Sequence, residues 1–298
     1  MQGQSFDIPL QRINDHLISA SGVNLYVLRT DLNHSHISGN KLYKLKYNLE
    51  EAQKQNQKTI LTFGGAFSNH IAAAAAAGRE NGFKTIGIIR GELVPELNPT
   101  LKFAQSQGMQ LHFISREEYK NKHEPSFIDS LHEKFGDFFM IPEGGANKAG
   151  IEGCKEITQS ITIPFDYVCC PCGTGTTLAG IILSLKEAQE AIGLQVLKGE
   201  NYIHSEVTSW LRHFNSEQRN WSVNTGYHFG GYAKCTAELR EFISAFEASN
   251  VIPLDPVYTA KMMYGIYDLI SKGFFKAGQT IVAVHTGGLQ GNAGFYET

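Results

Sequence analysis

Cysteine is scarce and odd in number, five in 298 residues. A disulfide-stapled scaffold needs a denser, even set, so such a framework is excluded and the cytoplasm is the expected compartment. A basic excess is also lacking, since 26 Lys and Arg stand against 29 Asp and Glu for a net charge of −3. That balance cannot neutralise a phosphate backbone, and no nucleic-acid partner is expected. Long apolar runs are missing too. The longest, Ile71–Ala77, falls far short of the roughly 20 residues of a membrane span. The opening MQGQSFDIPLQRIND has no basic segment followed by an apolar one, so neither anchor nor leader is expected. No repeat with a period of about 20–50 residues and no low-complexity linker occurs, which excludes solenoids and arrays.

What is present is core material: 42% of residues are hydrophobic and 18% charged. At roughly 150 residues per domain the length suggests two domains. Short apolar runs alternate with helical intervals. Leu25–Arg29, Lys58–Phe63, Lys84–Arg90, Gln110–Ile114, Phe138–Ile141, Asp166–Cys170, Gln195–Lys198 and Thr280–Val284 read as strands. Strands of this kind, separated by helices, predict parallel sheets covered on both faces. Eight strands also fit a barrel, but the uneven helical intervals favour two open α/β sheets.

Three loops carry chemistry. The first is SGNKLYKLKY (Ser38–Tyr47), which sets Lys41 directly after Gly39 and Asn40 at a helix start. The helix dipole there favours a neutral amine, the form Schiff-base chemistry requires. The segment also fits a solvated helix face bearing Lys41, Lys44 and Lys46. The second is FGGAFSNH (Phe63–His70), running into six alanines, Ala72–Ala77. Ser68 and Asn69 stand at a helix N-cap, where free N–H groups suit a carboxylate; an ordinary capped helix fits as well. The third is PCGTGTTLAG (Pro171–Gly180), a Gly- and Thr-rich turn between strand and helix. It has no Gly-Lys-Ser/Thr, and Leu178 stands where a dinucleotide fingerprint has its third glycine, so a single phosphate fits best. A tight turn without ligand is the plainer alternative.

A reactive lysine, a carboxylate site and a monophosphate cradle converge on pyridoxal 5′-phosphate as cofactor. Together with LDPVYTAKMMYG (Leu254–Gly265) and HTGG (His285–Gly288), the three loops stand in the order of a known family. The chain resembles the fold type II pyridoxal-phosphate enzymes, in particular the family of 1-aminocyclopropane-1-carboxylate deaminase and D-cysteine desulfhydrase. The resemblance implies two open-sheet, three-layer domains like those of tryptophan synthase β. Residues 44–143 would form a small inserted domain, and residues 1–43 with 144–298 the large cofactor-binding one.

The resemblance also implies roles. Lys41 matches the lysine that bonds the cofactor, and Asn69 the residue on the cofactor's 3′-oxygen. Ser68 matches a serine beside the substrate, with backbone groups of Ser68, Asn69 and His70 holding the substrate carboxylate. Gly173, Thr174, Gly175, Thr176 and Thr177 match the phosphate loop. Tyr258 and Tyr232 match active-site tyrosines. Thr259 is a departure from the deaminase, where a glutamate follows the motif tyrosine and keeps the cofactor's ring nitrogen protonated. A hydroxyl supplies no such charge, which makes the ring a weaker electron sink. Elimination of a β-substituent tolerates that better than opening a cyclopropane. The implied activity is therefore β-elimination from a small amino acid to a 2-oxo acid and ammonia, with D-cysteine the first choice. The cyclopropane deaminase is the alternative, and a cofactor-binding protein without turnover is the reading from another class. Racemases and dehydratases share the fold, and the family suggests a homodimer.

Other residues invite weaker readings. Cys169, Cys170 and Cys172 form a C-x-x-C at the end of a buried strand, where structural thiols are expected. His34 and His36 precede the lysine motif with no evident acidic or thiol partner, and no metal is expected. His285 ends the last strand, close to the cofactor ring or one layer behind it.

Overall fold

The computed structural model describes residues 8–92 and 95–292. Part of the opening segment read above for a leader, residues 1–7, lies outside the described residues. Along the chain run strands β1 (Leu10–Ile13), β2 (Asn24–Leu28), β3 (Thr59–Gly65), β4 (Lys84–Arg90) and β5 (Met109–Ile114), then β6 (Phe139–Ile141), β7 (Tyr167–Cys172), β8 (Glu190–Gln195), β9 (Trp221–Asn224) and β10 (Thr280–Val284). The helices are α1 (His16–Ser21), α2 (Asn40–Lys54), α3 (Asn69–Glu80), α4 (Pro99–Ser106) and α5 (Pro125–Phe135), followed by α6 (Lys148–Cys154), α7 (Thr176–Leu183), α8 (Tyr202–His213), α9 (Ala237–Asn250) and α10 (Thr259–Ser271).

Two sheets result. The larger has the order β1-β2-β10-β7-β8-β9 and the smaller β5-β4-β3-β6. All pairings are parallel except β1 with β2. Strand β10 shows why both faces of the large sheet are covered. Ile281 and Ala283 enter one core with α9 and α10, while Val282 and Val284 enter another with α6, α7 and α8. The small sheet is sandwiched in the same way, with Ile60 and Ile89 toward α2, α3 and α4 and with Leu61, Phe63, Ile86 and Ile88 toward α5.

Helix α2 belongs to both layers. Leu42, Leu45 and Leu49 bury into the small-sheet core, while Tyr43 packs with Ile151 and Cys154 of the large one. It is continuous from Asn40 to Lys54, so the expected domain boundary at residues 43–44 falls inside it.

Most expected strands lie where the alternation placed them, but Gln195–Lys198 needs correction: the strand there is β8, Glu190–Gln195. Its sequence, EAIGLQ, has no clean alternation of apolar and polar residues, so periodicity did not mark it. Gly193 is needed because a Cβ there would meet Leu178 Cδ2 at 2.4 Å and Cys172 Sγ at 2.9 Å. Strands β1 and β9 were not expected at all. Both are short edge strands, and every residue of β9 is half-buried, so neither carries an apolar alternation.

Candidate active site

The carboxyl ends of β3 and β7 and the turns before α2, α3, α7 and α10 line one cavity of about 810 Å³. This is where parallel α/β sheets place their ligand-binding loops.

Lys41 stands in the first turn of α2. The turn before it is locked: Asn33 Oδ1 accepts the Gly39 N–H at 3.0 Å, and Asn33 Nδ2 donates to Gly39 O at 3.1 Å. Lys41 Nζ donates to Asn40 Oδ1 at 3.0 Å, and Asn40 Nδ2 donates to Thr177 Oγ1 at 2.8 Å. A hydrogen-bonded chain thus ties the lysine to the threonine loop. Burial, reinforced by the charge of Lys44 and opposed by that of Asp255, lowers the Lys41 ammonium to about 7. The neutral amine was expected, but its cause differs. Desolvation dominates, not the helix dipole.

Lys44 corrects the solvated-face reading of this segment. Only 3% exposed, it lines the cavity and donates from Nζ to Gly144 O at 3.1 Å. Gly144 in turn abuts Thr174, whose Cγ2 lies 3.4 Å from where a Cβ on that glycine would sit. Burial lowers the Lys44 ammonium as well.

On the opposite wall, Ser68 caps α3, its Oγ accepting the Ile71 N–H at 3.3 Å. The first-turn N–H groups of Asn69 and His70 have no acceptor within the helix and are available to an anion. Asn69 lines the cavity and accepts at Oδ1 from Gln290 Nε2. His70 is 2% exposed, with Nε2 2.8 Å from Thr62 Oγ1. The hydroxyl proton of Thr62 goes to Ile141 O at 2.7 Å, so His70 Nε2 must be the donor and Nδ1 the bare acceptor. Among the described residues Nδ1 has no partner, and it lies buried. Burial, with the charges of Lys41 and Lys44, holds this imidazole neutral, well below its ordinary value.

The threonine loop opens α7 at Gly175, φ 72°. Gly173, Thr174, Gly175 and Thr177 line the cavity. Thr176 is fully buried and does not, its hydroxyl lying 3.0 Å from that of Thr174. Tyr258 lines the cavity beside Gly173, and burial raises its hydroxyl, as it does that of Tyr232 on the same wall.

Thr259 is placed otherwise than expected. It is fully buried behind the wall and does not line the cavity. Its hydroxyl accepts the Asp255 N–H and donates to Asp255 Oδ1, both at 2.8 Å. Asp255, which does line the cavity, also accepts the N–H groups of Val257, Tyr258 and Thr259, at 3.0, 2.9 and 2.8 Å. It fixes the start of α10, and with it Tyr258.

The sequence reading missed Lys44, Arg90, Arg116 and Asp255 on the wall. Arg90 was detectable from strand pairing alone, since it ends β4 in register with Gly65. His285 is second to the cavity: its Nε2 lies 2.7 Å from Pro253 O, and its Nδ1 accepts the Gly287 N–H at 3.3 Å. His34 turns its own loop, Nδ1 accepting from His36 and Ile37, with Nε2 3.2 Å from Glu80. Cys169, Cys170 and Cys172 are free and buried.

The wall fits a phosphorylated aldehyde. Lys44 is a buried amine whose acceptor among the described residues is Gly144 O, and it shares the cavity lining with Thr174, in a loop that opens a helix N-terminus. That donor set suits a phosphate dianion. Lys41 is an amine half neutral near pH 7 at the other end of the Asn40–Thr177 chain.

The family described as pyridoxal-phosphate dependent enzyme matches residues 5–287. The bifunctional D-cysteine desulfhydrase/1-aminocyclopropane-1-carboxylate deaminase, mitochondrial, of Arabidopsis thaliana is 32% identical over 91% of this chain and 74% of its own. The 1-aminocyclopropane-1-carboxylate deaminase of Rhizobium leguminosarum bv. viciae is 28% identical over 92% and 90%. A crystal structure of an ACC deaminase homologue superposes with TM-score 0.83 at 27% identity, covering 97% of this chain and 91% of that one.

Proposed function

The chain belongs to the pyridoxal-phosphate-dependent enzymes, and from that premise we propose that it is a lyase acting on a small amino acid by β-elimination, with D-cysteine as substrate. The observation that carries this reading is the lowered amine of Lys41, hydrogen-bonded through Asn40 to the threonine loop across a cavity that also holds a capped helix start.

Pyridoxal phosphate supplies, when bound, an aldehyde for amines and a conjugated ring that draws electrons from the substrate's α-carbon. Lys44 with Gly173, Thr174, Gly175 and Thr177 would hold its phosphate, and Asn69 would orient the ring. The N–H groups at the start of α3, with Ser68, would hold the substrate carboxylate. Lys41 would bond the aldehyde, and its free Nζ would serve as base for the substrate's α-proton. Tyr258, kept protonated by burial, and Tyr232 would face the substrate's β-substituent. That substituent departs with the bonding pair of Cβ–S as thiolate, and hydrolysis yields a 2-oxo acid and ammonia. We extend the proposal to a cytoplasmic homodimer without a nucleic-acid partner. The family resemblance and the net charge of −3 support it. Among the described residues no helix is long and apolar enough to cross a membrane.

Purified, cofactor-loaded protein assayed with D-cysteine and 1-aminocyclopropane-1-carboxylate in parallel tests the reading. Pyruvate from D-cysteine alone supports it. Oxobutyrate from the cyclopropane favours the deaminase, and silence with both, cofactor bound, favours binding without turnover.

Two predictions arise here. Loading of cofactor-free protein should quicken as pH rises and level off above about 7, because a lowered lysine loses its proton there and not near 10.5. A rate still rising at pH 9 would contradict the burial of Lys41. Thr259→Glu should change the bound cofactor's absorbance and shift preference toward the cyclopropane. It sets a second carboxylate against Asp255, so a stability loss of about 1–3 kcal/mol should accompany it. Unchanged absorbance and preference would refute the electronic role of this position.

A further inference from the structure

Lys261 has no part in the function proposed above, yet among the described residues it is the largest charged side chain that is sealed, with no exposed surface. It lies near the start of α10, three residues beyond Tyr258. Its Nζ donates to three backbone carbonyls: Gly231 O at 2.7 Å, His228 O at 3.0 Å and Val196 O at 3.3 Å. An ammonium has three donors, so the group is saturated and its desolvation is offset without any carboxylate partner. Burial lowers it only to about 8, which leaves it protonated at neutral pH.

Two of the three acceptors lie in the segment that carries Tyr232. Between Phe229 and Ala233 four residues have positive φ: Phe229 at 51°, Gly230 at 90°, Gly231 at 118° and Ala233 at 56°. Two of the four are not glycine, and such a run of left-handed backbone persists only where its surroundings hold it. Within the segment the Gly230 N–H donates to His228 Nδ1 at 2.9 Å, and two backbone turns close it, Gly231 N–H to His228 O at 2.9 Å and Lys234 N–H to Gly231 O at 3.2 Å. Those carbonyls are the ones Lys261 uses. Each offers one lone pair to the turn and the other to the ammonium, so the cation fastens both turns at once. The third acceptor, Val196 O, precedes the cavity residue Leu197. Phe229 adds an edge-on contact with Tyr264 of α10, ring centroids 4.9 Å apart.

We propose that Lys261 is a positioning residue: its buried ammonium pins the strained segment 228–234 to α10 and so holds Tyr232 on the same cavity wall as Tyr258. The two tyrosines converge although they are 26 positions apart, because one side chain fastens both of their segments. The proposal rests on the reading of this cavity as an amino-acid site, and its test separates the two.

The test compares Lys261→Met, Lys261→Arg, Tyr232→Phe and the Met/Phe double variant with the parent protein. Hydrogen exchange is read first, on cofactor-free protein and without any substrate. Lys261→Met should speed exchange of the Gly231 and Lys234 amides at least about tenfold while the amides of β7 and β10 keep their protection. Exchange unchanged in segment 228–234 overturns the proposal whatever the protein catalyses. Exchange raised equally throughout the large sheet also overturns it, as general destabilisation. Substrate binding is read next, from the absorbance response of loaded protein to D-cysteine and to 1-aminocyclopropane-1-carboxylate. Lys261→Met should weaken the response about tenfold in the parent background and less than twofold in the Tyr232→Phe background, with cofactor affinity unchanged in both. Equal losses in the two backgrounds overturn action through Tyr232. Lys261→Arg, which keeps a cation and several donors, should restore part of the exchange protection, and it serves for both readings should Lys261→Met fail to fold. A parent protein silent to both amino acids would count against the proposed reaction while the exchange result still decides the anchoring.

Discussion

Lys41→Ala is expected to lower turnover at least about a thousand-fold while the fold and the non-covalent retention of pyridoxal phosphate survive. The asymmetry follows from the geometry. In the proposed site the phosphate contacts belong to the threonine loop and to Lys44, and neither is held by the Lys41 amine, whose hydrogen bond among the described residues goes to the neighbouring Asn40. Borohydride treatment followed by mass spectrometry of the intact protein reads the result directly. The parent should gain the mass of a reduced cofactor and the variant none. A variant that still gains it would move the attachment point to Lys44. Substantial turnover in the variant would sink the assignment of Lys41 altogether.

Gly39→Ala should do nearly as much harm for a different reason. Gly39 has φ 71° and ψ −149°, and a Cβ there would lie 2.0 Å from Thr286 O and 2.6 Å from Gly287 N. These are backbone atoms immediately after β10, and the turn itself is clamped by Asn33, so neither side can yield cheaply. Left-handed strain and overpacking together should cost about 3 kcal/mol or more. What relaxation occurs should displace the first turn of α2, so the surviving folded fraction should load cofactor slowly. Denaturant midpoints together with loading rates check both parts. Stability within about 0.5 kcal/mol of the parent would show that the turn is not tight.

Much of the site was legible because its parts are contiguous. A lysine after Gly39 and Asn40, a capped alanine helix and a threonine turn each occupy about ten residues and point to the cofactor only in combination, and the parallel strands that deliver them show in their apolar runs. Residues whose meaning depends on what packs over them were not legible. Lys44 reads as a surface charge until α6 and the turn at Gly144 cover it. The His70 side chain has no assigned partner in the sequence until Thr62 and Ile141 fix its tautomer. Thr259 stands in a motif suggesting cofactor contact, yet the carboxylate of Asp255 takes its hydroxyl. The misplaced β8 and unseen β9 share a cause: neither strand has a clean alternation of faces, so periodicity had little to detect.

The position of β10 has a consequence for how the protein is made. This strand is the last of the described strands to be synthesised, yet it lies between β2 and β7, in the interior of the large sheet. Until residues 280–284 emerge, β2 and β7 have no partner at their shared gap, and the backbone groups facing that gap stay open. The small sheet, whose four strands all lie between residues 59 and 141, can close while the rest is still being synthesised. Nascent chains stalled ahead of β10 should therefore carry a finished small sheet beside an adhesive, half-built large one. That intermediate is where chaperone dependence and aggregation during synthesis should concentrate.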